Sequence, residues 1–307
     1  MTDAFDNSLL LQSTDRQLAV RVSRHGGAIV EAHWAGVPIL RPYAGNRAQA
    51  FAVLKAASFP LVPFGNRLEG NEFEFAGVRH ALAPNLDWDA HYLHGDGWLG
   101  DWAVTAHADD GVTLAFDHPP RAGTPYVYTA EQAIRVADNG FAITLAVTNR
   151  GPVALPFGIG HHPFFPMDST TTLTTTATSH WTEKAGWLPD QQRPIPPELD
   201  FAVPRPLPRH YVNNGLEGWS RHARIAWPAT GMALTMSADP VFGRAFIFVS
   251  DDAFEPGVAH DYFCLEPMSH TAGGHLQPDL GGLQVLQPGE TLAGSVRFAV
   301  ERTAPAS

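Results

Sequence analysis

The stretch Ile134-Arg135-Val136-Ala137-Asp138-Asn139-Gly140-Phe141-Ala142-Ile143-Thr144-Leu145-Ala146-Val147 decides the fold. Large apolar residues alternate with small or polar ones on both sides of Asp138-Asn139-Gly140. A period of two puts Ile134 and Val136, then Phe141, Ile143, Leu145 and Val147, on one face of a pleated strand. Asn-Gly tolerates the positive φ angles of tight hairpin turns, so the stretch reads as two antiparallel strands joined by a short turn. Ala108-Asp109-Asp110-Gly111 reads as a second such turn. The same alternation recurs at 17–22, at 72–75 before Gly77, at 111–116 and at 232–236. The run 170–178 is rich in β-branched threonine and suits an exposed strand. The proline-rich residues 189–209 read as a long extended loop. The chain holds 28 Gly and 26 Pro, which break helices and supply turns, and no long stretch keeps helical periodicity. The expected architecture is all-β: one large antiparallel β-sandwich spanning residues 1–307 as a single domain.

Bulk properties narrow the function. A hydrophobic fraction of 44% is ordinary for a folded protein. The net charge of −11 gives no general attraction for polyanions, and no Lys/Arg block stands out, so nucleic acid is not an expected partner. Cys264 is the one cysteine, so no intramolecular disulfide can form and the fold does not depend on an oxidising compartment. The start carries Asp3 and Asp6 instead of a basic, then apolar, signal peptide. No run approaches the roughly 20 apolar residues of a membrane helix. A cytoplasmic location, without membrane association, is expected.

Two segments carry the acid–base chemistry. In Tyr262-Phe263-Cys264-Leu265-Glu266-Pro267, a carboxylate follows an apolar strand and precedes a proline that should end it. Apolar walls raise a carboxylate's pKa and a nearby cation lowers it, which is the tuning a base near neutral pH needs. In Gly160-His161-His162-Pro163-Phe164-Phe165, the proline pushes His162 towards an extended backbone. An imidazole there can donate a proton to a weakly basic ether oxygen. His161 points the other way in an extended segment, so one of the two histidines is favoured. The plainer alternatives are a surface glutamate at a strand end and a core histidine bonded to carbonyls.

Binding residues are suggested upstream. His94 sits in Leu93-His94-Gly95-Asp96-Gly97-Trp98, where glycines favour a tight turn. Arg67 follows Asn66 after an apolar run and is either a surface charge or a forked donor for hydroxyls. Trp88, Trp98 and Trp102 cluster around His94; Trp98 is a candidate for stacking on a sugar, although core packing suits at least two of the three. His91 and His94 have no HExxH or Cys–His context, so no metal site is expected. Neither a G-x-S-x-G elbow nor a P-loop nor a dinucleotide fingerprint in a strand–helix context occurs. Cys264 among apolar neighbours reads as inert.

Asn66-Arg67, Leu93-His94-Gly95, Gly160-His161-His162-Pro163 and Leu265-Glu266-Pro267, in this order, resemble the aldose 1-epimerase (galactose mutarotase-like) family, as does the late Gln287-Pro288-Gly289-Glu290-Thr291. The resemblance spans roughly the whole chain. It implies a large β-sandwich with a sugar cleft and no metal or organic cofactor. It also implies Glu266 as the base at the C1 hydroxyl, His162 as the acid at the ring oxygen, and His94 and Arg67 as sugar ligands, with Asn66 beside them. Where the family commonly carries an Asp before a Gly-Trp pair, this chain has Asn213 in Val212-Asn213-Asn214-Gly215-Leu216-Glu217-Gly218-Trp219. Asn keeps hydrogen bonding but loses the charge. The expected substrate is a free monosaccharide, and the expected assembly a monomer or homodimer. The rivals are the same reaction on a hexose 6-phosphate, with Arg41, Arg47, Lys55 and Arg67 as available cations, and a noncatalytic sugar sensor on the same fold.

Overall fold

The computed structural model describes residues 8–46 and 50–303; Asp3, Asp6 and Arg47 lie outside the described residues. Among the described residues the chain forms antiparallel strands, turns and short 3-10 segments, with no α-helix. Hence no helix is long and apolar enough to cross a membrane.

The quoted hairpin forms, by a different turn from the one expected. Tyr128–Ala137 pairs with Gly140–Asn149 in unbroken register, closing at Ala137 opposite Gly140. Neither Asn139 nor Gly140 takes a positive φ. Gly140 is needed for close approach instead: a Cβ there would sit 2.1 Å from the Phe298 carbonyl oxygen on the next strand. The second expected turn also joins two strands, Ala103–Ala108 and Gly111–His118. A turn with two positive φ angles does occur at Ala76 (52°) and Gly77 (75°), linking Glu72–Phe75 to Val78–Ala81.

Two large sheets make the sandwich. The first has nine strands, in the order Ala103–Ala108, Gly111–His118, Tyr128–Ala137, Gly140–Asn149, Thr291–Arg302, Met232–Ala238, His222–Trp227, Thr172–Thr175 and Arg205–Pro206. The second runs Leu188–Arg193, Ser179–Lys184, Val212–Glu217, Arg244–Val249, Tyr262–Met268, Gly160–His161 and Pro60–Leu61, with Phe164–Pro166 also on Tyr262–Met268. A smaller four-stranded sheet covers residues 9–40. The threonine run therefore does contain a strand, half-buried in place of exposed. The proline-rich 189–209 region is more ordered than a loop: it opens as a sheet strand and adds a 3-10 turn at Pro197–Leu199 and the short strand Arg205–Pro206.

The main core fills the space between the sheets. Ile143, Leu145, Val296 and Phe298 from one pack with Ile247, Phe263 and Leu265 from the other. Phe165 bridges them, with ring centroids 5.5 Å from Phe263 and 6.4 Å from Phe298. Each such fully buried side chain contributes roughly 1.5–3 kcal/mol. Tyr262–Met268 is buried along its whole length. Alternation sends Phe263 and Leu265 into the main core, and Tyr262, Cys264, Glu266 and Met268 to the opposite face. There a second apolar cluster of Phe59, Leu61, Leu93, Trp98, Phe164 and Phe246 covers the sheet.

Glu266 is not at a strand end, because Pro267 continues the strand and pairs with Ala245. On its other side the neighbouring ladder lapses between Gly160–His161 and Phe164–Pro166. A proline is tolerated in a sheet where pairing is interrupted, since its missing N–H leaves no partner unsatisfied.

Candidate active site

Register brings the two distant acid–base segments together. Gly160 pairs with Met268, and Phe164 pairs with Cys264. Both pairs keep one register, and carrying it across the gap sets His162 opposite Glu266. Directly opposed residues on neighbouring strands share a face and approach closely. Accordingly His162 Nε2 lies 3.3 Å from Glu266 Oε1. His161 faces away; its ring is fully buried towards Phe242 and neither ring nitrogen has a partner.

The His162 imidazole is held in a stack of rings. Phe59 and Phe164 both pack against it, each with its centroid 4.6 Å away and tilted by less than 30°, and they lie 6.2 Å from each other. Trp98 continues the stack behind Phe59 at 5.2 Å. Trp98 does not line the cavity: it is 1% exposed and its indole N–H donates to the carbonyls of Leu93 and Gly95. Trp102 is likewise core, and it is the exposed Trp88 that reaches the cavity wall.

Asn66 and His94 lock each other. The His94 N–H donates to the Asn66 carbonyl at 3.0 Å, and the Asn66 N–H donates to His94 Nδ1 at 3.0 Å. With Nδ1 accepting, the ring proton sits on Nε2. Both residues take positive φ, 62° for Asn66 and 59° for His94, a conformation costly for residues with a Cβ. Gly95 follows at φ 70°, and a Cβ there would meet the Val62 carbonyl oxygen at 2.1 Å. Gly95→Ala should therefore cost about 1–3 kcal/mol. Thermal unfolding checks this: an unchanged melting temperature would mean the loop has no such constraint.

Arg67 is aimed by a carboxylate that sequence gave no means to find. Its Nε and Nη2 both lie 2.9 Å from Asp89 Oδ2, and Asp89 is almost fully buried. Its guanidinium lies 4.9 Å from the Trp187 ring centroid. Arg41 is also buried. It stacks on Phe164 at 3.9 Å and Tyr262 at 4.4 Å, and donates to the carbonyls of Leu54 and Ala56.

These groups converge on one cavity of about 320 Å³. Glu266, His162, His94, Asn66, Arg67, Asn213 and Arg41 line it, with Phe164, Phe246, Phe248, Tyr211 and Tyr262 as apolar wall. That is at the lower end of pocket sizes for small molecules, and the mix of apolar wall and few convergent polar groups is typical of them. Burial pushes the Glu266 carboxyl well above the usual range, against a smaller opposing pull from Arg67. Burial lowers His162 to about 3, with the Arg41 charge acting the same way. Burial first, then His162 and Arg67, hold His94 well below its usual value. The Glu266–His162 pair thus favours a single shared proton, and Glu266 Oε2 has no partner. Among the described residues no cluster of His, Cys, Asp and Glu fits a metal ion.

Residues 8–299 match the family model for aldose 1-epimerase, and the chain belongs to that family. The uncharacterized protein YphB of Escherichia coli K12 is 44% identical over 286 residues, covering 92% of this chain and 96% of YphB. A crystal structure from E. coli K12, described provisionally as an aldose 1-epimerase, superposes with a TM-score of 0.90 at 42% identity, covering 96% of this chain and 99% of that one. The galactose 1-epimerase of Lactobacillus acidophilus shares the fold, with a TM-score of 0.78 at 14% identity over 97% of this chain and 95% of that one.

Proposed function

We propose that the protein interconverts the α- and β-anomers of a free, uncharged aldose. The observation that carries this reading is the 3.3 Å contact of His162 Nε2 with Glu266 Oε1 at the cavity floor, with Glu266 Oε2 unpartnered beside it. Ring opening removes one proton from the C1 hydroxyl and delivers one to the ring oxygen. Glu266 takes the first and His162 gives the second, so the pair holds one proton before and after. The C1–O5 bond breaks, an aldehyde forms, the C1–C2 bond rotates, and reclosure on the other carbonyl face reverses both transfers. Burial favours the neutral arrangement left after opening, in which the carboxyl is protonated and the imidazole is not. His94 Nε2–H and the Arg67 fork serve as donors that orient the sugar, with Asn213 also on the cavity wall.

A 6-phosphate is less well served. Lys55 is paired with Glu255 at 3.1 Å and Arg67 with Asp89, while Arg41 is taken up by two carbonyls and two rings. Proton exchange spectroscopy of anomer pairs tests both readings. The protein should accelerate exchange of at least one free aldose over the spontaneous rate, and act more slowly on the 6-phosphate. Unchanged exchange across several aldoses ends the proposal.

The pH profile follows from the shared proton. A second proton is taken up only on strong acidification, because His162 sits near 3, and burial holds the first on the Glu266 carboxyl above the usual carboxylate range. After subtraction of the spontaneous rate, kcat/KM should show no histidine-like inflection near pH 6.5. A steep change centred near pH 6.5 would point to an ordinary solvated histidine instead.

A further inference from the structure

Asn213 faces the cavity from the strand Val212–Glu217, and its amide is already engaged on one side. Its Nδ2 donates to Glu183 Oε2, and the Tyr211 hydroxyl donates to the same oxygen at 3.0 Å. Glu183 does not line the cavity; it lies behind, on the adjacent strand Ser179–Lys184. The ladder between that strand and Leu188–Arg193 slips between Trp181 and Glu183. A slip of this kind re-aims the side chain that follows it. Among the described residues no cation pairs with Glu183: the neighbouring Lys184 is held by Glu69, and Arg244 by Glu217. The carboxylate is left with two neutral donors, both from cavity-lining side chains. Burial, with Glu183 adding to it, pushes the Tyr211 hydroxyl above its usual range, so it stays protonated and donating.

We infer that Glu183 is a positioning residue that fixes substrate specificity by orienting the Asn213 amide. With Nδ2 spent on Glu183, Asn213 presents its Oδ1 to the cavity as an acceptor. A free amide can turn either end to a ligand; this one cannot, because Oδ1 against the carboxylate would set two acceptors together. The donors Arg67 and His94 line the same cavity. The arrangement selects a neutral sugar that places a donating hydroxyl on Asn213. The inference rests on the proposed anomer interconversion for its kinetic readout alone, and sugar binding tests it independently.

Glu183→Ala, Asn213→Ala, the double variant and Glu183→Gln are assayed on the free aldose that the wild type turns over fastest. Calorimetric Kd values for galactose and glucose are measured in parallel. Glu183→Ala and Asn213→Ala should each raise KM and Kd about tenfold, the effect of one oriented hydrogen bond, with kcat changed by less than about threefold. The double variant should be no worse than either single one, because one interaction is removed in all three. Glu183→Gln keeps an acceptor for both donors and should restore near-wild-type values. The inference is overturned if Glu183→Ala leaves KM and Kd unchanged, if the single effects multiply in the double variant, or if Glu183→Gln fails to rescue. Should the wild type show no turnover on any aldose, the functional reading falls, and the Kd series alone decides the role of Glu183.

Discussion

Glu266→Gln lowers kcat/KM for anomer exchange by about 10²–10⁴-fold, the usual worth of a positioned proton-transfer group. The substitution keeps shape and hydrogen-bonding reach while removing the basic oxygen. It also removes a carboxyl that is 2% exposed and raised by burial, so thermal stability should be unchanged or improved. His162→Asn should cost a similar factor, since it removes the imidazole Nε2 that contacts Glu266 Oε1. The double variant should be scarcely slower than either single one, because a relay missing one end is already broken. Exchange spectroscopy and thermal melting measure both effects together. If either single variant keeps wild-type turnover while folded, the pair does not carry the chemistry.

Acid sensitivity is the second large effect. Five histidines are buried in uncharged form. Burial holds His161, His162 and His275 at about 3 and His270 at about 4, and keeps His94 well below its usual value. The unfolded chain takes up these protons as pH falls through about 6.5, and the folded chain does not. Its stability is therefore intact above that value and lost below it. Glu266 opposes the trend, because its raised pKa lets the folded state bind a proton that the unfolded state binds only near 4.5. A net uptake of four protons on unfolding corresponds to a loss of about 5 kcal/mol per pH unit near pH 5. Set against a total stability of about 5–15 kcal/mol, that is enough to unfold the protein within a few pH units. The melting temperature should hold from about pH 8 to about pH 7 and drop steeply below about pH 6. His161→Gln, which removes one such group facing away from the cavity towards Phe242, should flatten the slope. A melting temperature that is constant down to pH 4 would show that these rings gain protons in the folded state.

The strands were legible because most of them are half-buried, and one-sided burial writes itself as alternation. Gly140–Asn149 and Met232–Ala238 were readable for that reason. Tyr262–Met268 is buried on both faces, so its end was misread at Pro267. What decides that end is a gap in the neighbouring strand, which no local pattern reports. The family motifs named Glu266, His162, His94, Arg67 and Asn66, and all of them line the cavity. That His162 stands opposite Glu266 depends on pairing register between segments about a hundred residues apart, a property of partners and not of either sequence. Asp89 and Glu183 were invisible for a related reason: each acts through a side chain, Arg67 or Asn213, to which only the folded chain brings it. Trp98 was assigned to the wall because aromatic residues serve packing and sugar stacking alike, and composition does not separate the two.

The most direct measurement is a crystal structure of Glu266→Gln soaked with the aldose that the wild type exchanges fastest. The account predicts one sugar in the cavity, with its anomeric oxygen within about 3.2 Å of residue 266 and its ring oxygen within about 3.2 Å of His162 Nε2. A sugar bound with its ring oxygen turned away from His162, or seated outside the cavity altogether, would contradict it.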